Sequence, residues 1–405
     1  MKMKKKSIIS VILSLLLLFQ ITVPAIAVED GKEINKKEET KSSAPLDVDA
    51  KSALLIEPTT GKVIYEKNLD EKFAPASVTK VMTMLLAMEA IDNGDLKLDD
   101  KIVCSAKVKS MGGSSMILDE GEVRTVEEIL KGIAIASGND AAVAMAEHLG
   151  GSEESFVDMM NKRAQELGMT NTTFKNCTGL PIEGHLSTAR DIATMSIELL
   201  KHPTILKYSS IYMETISEGR KTPIELVNHN KLVRFYEGCD GLKTGYTEEA
   251  KYCISATAVR NNVRMLAVVM GSPTYKIRNA EASKLMNYGF AKFESKKVVA
   301  KDEEIETIPL NKKGDKFFIA KANEGLNITL EKGKDAEITK KINIDMEKKH
   351  YKEGDIIGTC EYYMGDELIG TVQMYTDREV KQSQFLRNLK DNISNIFGVV
   401  NLVEF

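Results

Sequence analysis

Residues 73–84, FAPASVTKVMTM, place one serine, Ser77, three residues before a lysine, Lys80, and follow the pair with an apolar run. Residues three apart on a helix share a face, so the Lys80 amine can reach the Ser77 hydroxyl. A serine hydroxyl needs a base to become a nucleophile, and a lysine is that base only when burial keeps it neutral. The stretch therefore predicts a nucleophile and its base on one helix. The alternative is a chance spacing with Lys80 exposed at the surface.

Two further fragments have the character of active-site motifs. The tripeptide SGN at residues 137–139 interrupts a helical stretch, where small polar residues are poor helix formers. The tripeptide KTG at residues 243–245 opens a region with the period of strands. The three fragments S-x-x-K, S-x-N and K-T-G follow one another at separations of 60 and 106 residues. In that order they resemble the active-site triplet of penicillin-binding proteins and serine β-lactamases.

The similarity extends well past the triplet. Its segments are EPTTGKVIYEKN, PASVTKVMT, ASGNDAAVAMAEHLG, FKNCTGL with the following GHLSTARDIATMS, and GLKTGYTEEAKYCISATA. They resemble the low-molecular-mass penicillin-binding proteins, and more narrowly the serine-type D-alanyl-D-alanine carboxypeptidases. The resemblance is close over about residues 50–293, and beyond them it lies in the arrangement of the domains.

This resemblance implies an α+β fold. A transpeptidase domain of the penicillin-binding-protein and β-lactamase type, with an antiparallel sheet and a helical cluster, would be followed by a small β-sandwich-like domain. The implied activity removes the terminal D-alanine from peptidoglycan stem peptides ending in D-Ala-D-Ala, through an acyl-enzyme. β-Lactam antibiotics would be covalent inhibitors, and no metal or cofactor is implied.

The resemblance also assigns catalytic roles. Ser77 is the implied nucleophile and Lys80 its base. Ser137 would relay a proton to the leaving D-alanine amine. Asn139 would bind the substrate backbone and fix the Lys80 side chain.

The implied substrate-binding residues lie near the third motif. Lys243 would favour neutral Lys80 and attract the substrate carboxylate, which Thr244 would bind. Gly245 lacks a Cβ, so the substrate can lie against the strand edge. The N–H of Tyr246 would complete an oxyanion hole with that of Ser77. Arg278 stands where the family has an arginine facing the carboxylate; the alternative is a surface arginine at a helix start.

Two further residues could suggest a different catalytic mechanism, and both are interpreted otherwise. His229 lies in an N-x-N segment and is interpreted as a residue at the cleft edge, since the triplet already supplies a base. Glu183 lies near an E-x-x-L-N pattern of β-lactamases but is followed by serine where that pattern has asparagine, and it is interpreted as a loop carboxylate. The remaining alternatives are a β-lactamase of the same fold, a penicillin sensor that hardly turns over, and a wall-binding protein without activity.

The N-terminus is predicted to be a signal peptide over residues 1–27, with basic residues, an apolar core and small residues at the cleavage site. The alternative is an uncleaved membrane anchor. Residues 28–46 are interpreted as a flexible linker. Residues 1–27 hold four of the 55 basic residues and none of the 59 acidic ones, so the rest of the chain has a net charge of −8. This charge does not suggest a nucleic-acid partner.

The pattern along the rest of the chain predicts two domains and a tail. A strand pair, a group of helices and further strands indicate a catalytic domain over residues 47–293. Alternation and a hairpin turn at residues 364–367 indicate a small β domain over residues 294–380. The five cysteines show no disulfide or zinc spacing and are interpreted as buried small apolar residues.

The tail, residues 381–405, places its apolar residues on one helical face, among them Phe385, Leu389 and Ile393. It is predicted to be an amphipathic helix that holds the exported protein at the outer face of the cell membrane. The alternative is a helix packed on its own β domain.

Overall fold

The computed structural model describes residues 46–216, 219–311, 313–334, 336–344, 348, 350–381 and 397–400. The predicted signal peptide and all of the predicted linker except Leu46 lie outside these residues. The described residues from Val48 onward belong to one compact unit.

The first part of this unit alternates strands and helices. Its helices are α1 Lys80–Asp92, α2 Ala106–Ser110, α3 Val126–Ala134, α4 Asn139–Gly150, α5 Glu153–Glu166, α6 Ala189–Leu200, α7 Thr204–Ser209, α8 Leu232–Phe235 and α9 Tyr275–Lys292, with a 3₁₀ turn at Ala76–Thr79. Its strands are β1 Ser52–Glu57, β2 Lys62–Lys67, β3 Lys101–Val103, β4 Val123–Thr125, β5 Met213–Ile216, β6 Ile224–Val227, β7 Cys239–Thr247, β8 Lys251–Arg260 and β9 Val263–Ser272.

A five-stranded antiparallel sheet in the order β2-β1-β9-β8-β7 forms the centre. All six residues of β1 are buried, and so are nine of the ten in β9. Because successive side chains point to opposite faces, both faces of the sheet are covered. Helices α6 and α9 both pack on β9. The strand pair predicted at the start of the domain is confirmed as the hairpin β1–β2. Strands β8 and β9 form a second hairpin, with Asn261 and Asn262 at positive φ.

Helix α1 lies in the middle of the helical group. It contacts α3, α4, α5 and α6, and its first nine residues, from Lys80 to Met88, are all buried. The helix predicted from Ser77 begins instead as the 3₁₀ turn and becomes α-helical at Lys80. This central position, more than the apolar run itself, removes Lys80 from water.

One helix is longer than predicted. The sequence pattern ends the last helix of the catalytic domain at Gly289, but α9 continues to Lys292. A Cβ at Gly289 would lie 2.5 Å from the sulfur of Met265 on β9. The glycine therefore permits close packing of helix on sheet and does not end the helix.

The second part of the unit is built of strands. They are β10 Phe293–Val299, β11 Glu304–Pro309, β12 Phe317–Ala322, β13 Leu326–Glu331, β14 Ile338–Ile344, β15 His350–Tyr351, β16 Ile356–Met364, β17 Glu367–Thr376, β18 Val380–Lys381 and β19 Phe397–Val400. Six of them form one sheet in the order β11-β12-β17-β16-β14-β19, with a core of its own. The hairpin predicted at residues 364–367 is confirmed, because Met364 pairs with Glu367.

The tail prediction is wrong where the structure describes it. Lys381 ends strand β18, and Phe397–Val400 forms strand β19, which pairs antiparallel with β14. The edge of β14 offers unpaired backbone groups, and a short apolar run satisfies them as well as it fits a helix. Residues 382–396 and 401–405 lie outside the described part. No helix of the described residues has both the length and the apolar character to cross a bilayer.

Candidate active site

Ser77 lies half-buried in the 3₁₀ turn, directly beside strand β7. A Cβ at Gly245 would lie 2.9 Å from the carbonyl oxygen of Pro75 and 3.0 Å from the amide nitrogen of Ser77. Such distances are too short for ordinary contacts. The missing side chain at position 245 therefore lets the strand of the third motif lie against the serine.

The Lys80 amine is fully buried and has three partners. Its Nζ lies 3.1 Å from Ser77 Oγ, 2.7 Å from Asn139 Oδ1 and 2.7 Å from the carbonyl oxygen of Thr178. Burial lowers the pKa of Lys80 to about 7. A neutral amine has two N–H bonds and one lone pair. When its N–H bonds point to Asn139 and Thr178, the lone pair faces the Ser77 hydroxyl.

Both acceptors are themselves held in place. Asn139 begins α4, and its Nδ2 donates to the carbonyl oxygen of Gly112 at 2.7 Å. Asn176 Oδ1 accepts from the backbone N–H groups of Thr178 at 3.2 Å and Gly179 at 2.7 Å. Thr178 was not predicted as a site residue, because it acts through its backbone. Its only signal was its place in the family-like segment FKNCTGL.

The buried carboxylate of Asp140 holds the loop at residues 114–118 in place beside the cleft. Asp140 accepts from Ser115 Oγ at 2.5 Å and from the N–H groups of Met116 and Leu118, both at 3.1 Å. This loop also carries Ser114, which lines the cleft. Asp140 follows Asn139 directly, so one helix start positions both the Lys80 partner and the cleft wall.

Lys243 and Arg278 are buried cations near the site. Lys243 Nζ donates to the carbonyl oxygen of Thr244 at 2.9 Å. Burial, with the charges of Lys80 and Arg278, holds the pKa of Lys243 well below its usual range. Arg278 is 5% exposed and donates to Asn279 Oδ1, and burial lowers its pKa to about 10. The structure thus places Arg278 in the cleft wall and not at the surface.

One cavity of about 470 Å³ unites these groups. It is lined by Ser77, Ser114, Ser137, His229, Lys231, Thr244, Gly245, Tyr246, Tyr252, Tyr275 and Arg278. The other predicted site residues, Lys80, Asn139 and Lys243, lie behind this lining and are buried. Four lining residues were not predicted, because hydroxyl groups and a lone cation at their spacing form no distinctive motif: Ser114, Lys231, Tyr252 and Tyr275.

His229 and Glu183 differ in position. His229 lines the cavity, where burial and the nearby charges of Lys243 and Lys231 lower its pKa to about 4. It is therefore neutral at physiological pH. Glu183 is exposed and absent from the cavity lining. No carboxylate of the described residues lines this cavity.

This arrangement can transfer an acyl group. A neutral buried amine can accept the proton of the Ser77 hydroxyl, while Lys243 and Arg278 provide positive charge for an anionic substrate. A sheet flanked by helices that carries these three motifs in one cleft defines the class of serine penicillin-binding enzymes.

Comparison with known proteins narrows the class. Residues 38–274 match the sequence profile of the peptidase S11 family, D-alanyl-D-alanine carboxypeptidase, and residues 293–382 match the C-terminal domain of penicillin-binding protein 5. The chain belongs to the D-alanyl-D-alanine carboxypeptidases of peptidase family S11.

Three individual proteins illustrate the similarity to this chain. The D-alanyl-D-alanine carboxypeptidase DacF of Bacillus subtilis (strain 168) is 43% identical over 387 residues, which are 95% of this chain and 97% of that protein. Penicillin-binding protein 5 from Haemophilus influenzae has a TM-score of 0.62 at 30% identity, covering 84% of this chain and 99% of its own. Penicillin-binding protein D2 from Listeria monocytogenes, in its ampicillin-bound form, has a TM-score of 0.55 at 32% identity, covering 61% of this chain and all of its own.

Proposed function

We propose that the protein removes the terminal D-alanine from peptidoglycan stem pentapeptides through an acyl-enzyme on Ser77. The contact between Lys80 Nζ and Ser77 Oγ at 3.1 Å carries this proposal, because it joins a nucleophile to a base whose pKa is about 7. Lys80 takes the hydroxyl proton as Ser77 Oγ attacks the carbonyl between the two D-alanines. The N–H groups of Ser77 and Tyr246 stabilise the oxyanion.

The acyl-enzyme then forms and is hydrolysed. Ser137 relays a proton to the leaving amine, the C–N bond breaks, and D-alanine departs. Water attacks the ester carbonyl and releases the shortened peptide and Ser77. Glu183 stands outside the cavity lining, which favours a carboxypeptidase over a β-lactamase that uses such a glutamate.

The substrate carboxylate is proposed to lie between Lys243, Thr244 and Arg278. Lys243 and Arg278 are buried cations whose pKa values burial lowers, and no ion pair holds either of them within the described part of the chain. A bound carboxylate would supply that counter-charge. Asn139 holds Lys80 from behind the cavity lining, where its own side chain is buried and bonded to Gly112, so it is not in a position to bind the substrate backbone as predicted. Gly245 leaves the strand edge open to the substrate backbone. We infer that β-lactams acylate the same serine, since their strained amide resembles the D-Ala-D-Ala bond.

Acylation by benzylpenicillin tests the nucleophile. Intact-protein mass spectrometry should show one adduct, located on the peptide that contains Ser77, and Ser77→Ala should abolish it. Ser110→Ala, at the exposed end of α2, is the matched control and should keep the adduct. An adduct on Ser77→Ala protein would reject the assignment. Release of D-alanine from diacetyl-Lys-D-Ala-D-Ala distinguishes the carboxypeptidase from a β-lactamase, which would instead hydrolyse the bound penicillin rapidly.

We also infer that the chain is exported and attached to the outer face of the membrane through residues 382–396. The support is the sequence: apolar Phe385, Leu389, Ile393 and Ile396 recur at helical spacing. Vesicle sedimentation tests it, with L389D/I393D expected to lose binding and the polar-position control N392D expected to keep it. Binding should survive added salt, because burial of apolar groups dominates over the few basic residues. Equal sedimentation of all three proteins would reject the attachment.

A further inference from the structure

A second cavity, of about 290 Å³, lies where the catalytic part of the chain meets the β domain. Thr60, in the β1–β2 turn, and Lys62, at the start of β2, contribute to its lining. Much of the remaining lining consists of apolar side chains from the second part of the unit: Phe293, Leu330, Ala336, Met364 and Ile369. Ala336, Met364 and Ile369 also pack against the core of that part. The cavity therefore borders directly on the core of the β domain. We call it the junction cavity.

Two lysines at the junction cavity share one carboxylate. Lys62 pairs with Glu331, and Lys334 Nζ lies 2.6 Å from the other oxygen of the same side chain. The remaining acidic side chain of the lining, Glu367, forms no ion pair with any residue that the structure describes. A further carboxylate beside the two lysines would balance the second positive charge. Exposed ion pairs stabilise little, so such a carboxylate would select a position more than it would supply free energy.

Strand β19 runs toward the junction cavity. It pairs antiparallel with β14, with Phe397 opposite Lys341 and Val400 opposite Ile338. Each residue forward along β19 is therefore opposite the preceding residue of the β14 segment. Ala336, two residues before Ile338, lines the cavity. The register of the two strands thus directs the chain beyond Val400 to the cavity.

The same register matches the next residues of the chain to the lining. Two residues beyond Val400, Leu402 comes opposite Ala336, and two further on, Glu404 comes opposite Lys334. Directly opposite residues of an antiparallel pair lie on one face of the sheet. An apolar side chain then meets the apolar lining, and a carboxylate meets the lysines. The pairing ends there, because Gly333, at a φ of +73°, turns the chain back toward β13.

The size of the junction cavity and the alternation of side chains fix which residues fit. Cavities that hold small molecules begin at about 300 Å³, so this one suits a few side chains of an extended segment. Leu402 and Glu404 share a face, and Val403 points to the other. A slip of one residue would exchange Leu402 for Val403 and take Glu404 away from Lys334. One register therefore satisfies the apolar lining and the lysines together.

We propose that residues 401–404 of the same chain bind in the junction cavity as a continuation of strand β19. The Leu402 side chain packs against Ala336 and Met364 and extends the core of the β domain. The Glu404 carboxylate pairs with Lys334 and reaches toward Lys62 of the catalytic part. The bound segment thereby joins the two parts of the unit. It also holds residues 382–396 to the β domain at both ends, since they leave it after β18 and return to it as β19.

Disulfide trapping in the full-length protein tests the register. Ala336→Cys combined with Leu402→Cys places two thiols opposite each other. Paired strands hold opposite Cα atoms about 4.5–5.5 Å apart, which a disulfide spans. Ala336→Cys combined with Val403→Cys is the matched control, because Val403 lies on the other face. The five native cysteines are all buried and remain in both variants. Peptide mass spectrometry after mild oxidation measures the new bond, and circular dichroism verifies that both variants are folded.

The new disulfide should form within one molecule, about tenfold faster in the first pair than in the control. Equal rates in the two pairs would overturn the proposed register. Absence of the bond from the folded first variant would overturn the binding of the segment. A disulfide between two molecules would overturn it as well, and would assign the junction cavity to a second copy of the chain.

Thermal unfolding gives a second test that needs no new thiols. Leu402→Asp should lower the midpoint by about 2–5 °C, because it brings a charge to the apolar lining in place of an aliphatic side chain. Val403→Asp, one residue along on the other face, should lower it by less than about 1 °C. Equal midpoints for the two variants would overturn the assignment of Leu402 to the junction cavity.

Discussion

Lys80 Nζ lies 3.1 Å from Ser77 Oγ while its other two contacts are acceptors, Asn139 Oδ1 and the carbonyl oxygen of Thr178. Two acceptors for two N–H bonds match a neutral amine, and a protonated one would have to donate its third proton to the serine. The site thus favours the form of Lys80 that can accept a proton.

Acylation should depend on the protonation of Lys80. Because burial lowers its pKa to about 7, the second-order rate constant for benzylpenicillin should rise with pH through about 7 and then level off. Stopped-flow or quenched mass spectrometry between about pH 5.5 and about pH 9 measures this profile. Lys80→Arg remains charged and should react negligibly throughout. A flat wild-type profile would contradict the assignment of Lys80 as base.

The lowered pKa of Lys80 also predicts that the free energy of unfolding depends on pH. The folded pKa of Lys80 is about 7 and its ordinary value 10.5, so between these values the unfolded chain holds a proton that the folded chain does not. The free energy of unfolding then rises with pH, by up to about 1.4 kcal/mol per pH unit. Lys80→Met lacks this contribution. Urea unfolding should show that the free energy of unfolding of the wild type, relative to that of the variant, increases from about pH 7 to about pH 9. If the free energies of unfolding of the two proteins change equally with pH, the lowered pKa of Lys80 is disproved.

Gly179 and Gly184 offer a matched pair for steric packing beside Ser77. Both have positive φ, at +84° and +78°. A Cβ at Gly179 would lie 1.8 Å from the carbonyl oxygen of Ala76, whereas at Gly184 the nearest atom is Lys175 Cε at 3.5 Å. Gly184→Ala should cost about 1–2 kcal/mol, and Gly179→Ala about 2–5 kcal/mol with a large loss of acylation. Thermal unfolding and penicillin labelling would measure both, and equal effects would mean that the contact is unimportant.

Asp140 is predicted to be a positioning residue. Asp140→Asn keeps the shape but turns an NH₂ group toward donors at Ser115, Met116 or Leu118. We expect a loss of about 1–3 kcal/mol in stability and a lower acylation rate, because the cleft wall and Asn139 share this anchor. Asp158→Asn, exposed on α5, is the control and should resemble wild type. Normal acylation by Asp140→Asn protein would show that the loop serves stability only.

Lys243 should act through the substrate carboxylate. Lys243→Gln should raise KM for diacetyl-Lys-D-Ala-D-Ala more than for the same peptide with an amidated C-terminus, which has no charge to pair. Steady-state kinetics on both peptides gives the comparison. If both substrates lose equally, the effect of Lys243 does not come from pairing with the substrate carboxylate.

Local sequence patterns were sufficient to predict several elements of the structure. The spacing of Ser77 and Lys80, the hairpins β1–β2 and β16–β17, and the break between α3 and α4 all depend on neighbours within one turn. Such features are determined by side-chain period and turn geometry, which a sequence displays directly.

Features that depend on distant partners were not visible in the sequence. Thr178 meets Lys80 through a backbone carbonyl 98 residues away, and a backbone group has no residue-specific signal. Gly289 looked like a helix end because its contact, Met265, lies on another element. Phe397–Val400 became a strand because β14 offered a free edge, which periodicity in the tail cannot reveal.

The sequence by itself therefore determined which residues could do the chemistry, their order along the chain, and most of the elements that carry them. The tertiary structure decided that Lys80 is buried, which carbonyl and amide face it, and that Lys243 and Arg278 share its cleft. The physical reason is that burial and charge interactions depend on the packing of segments far apart in sequence, and these interactions set the protonation of a lysine.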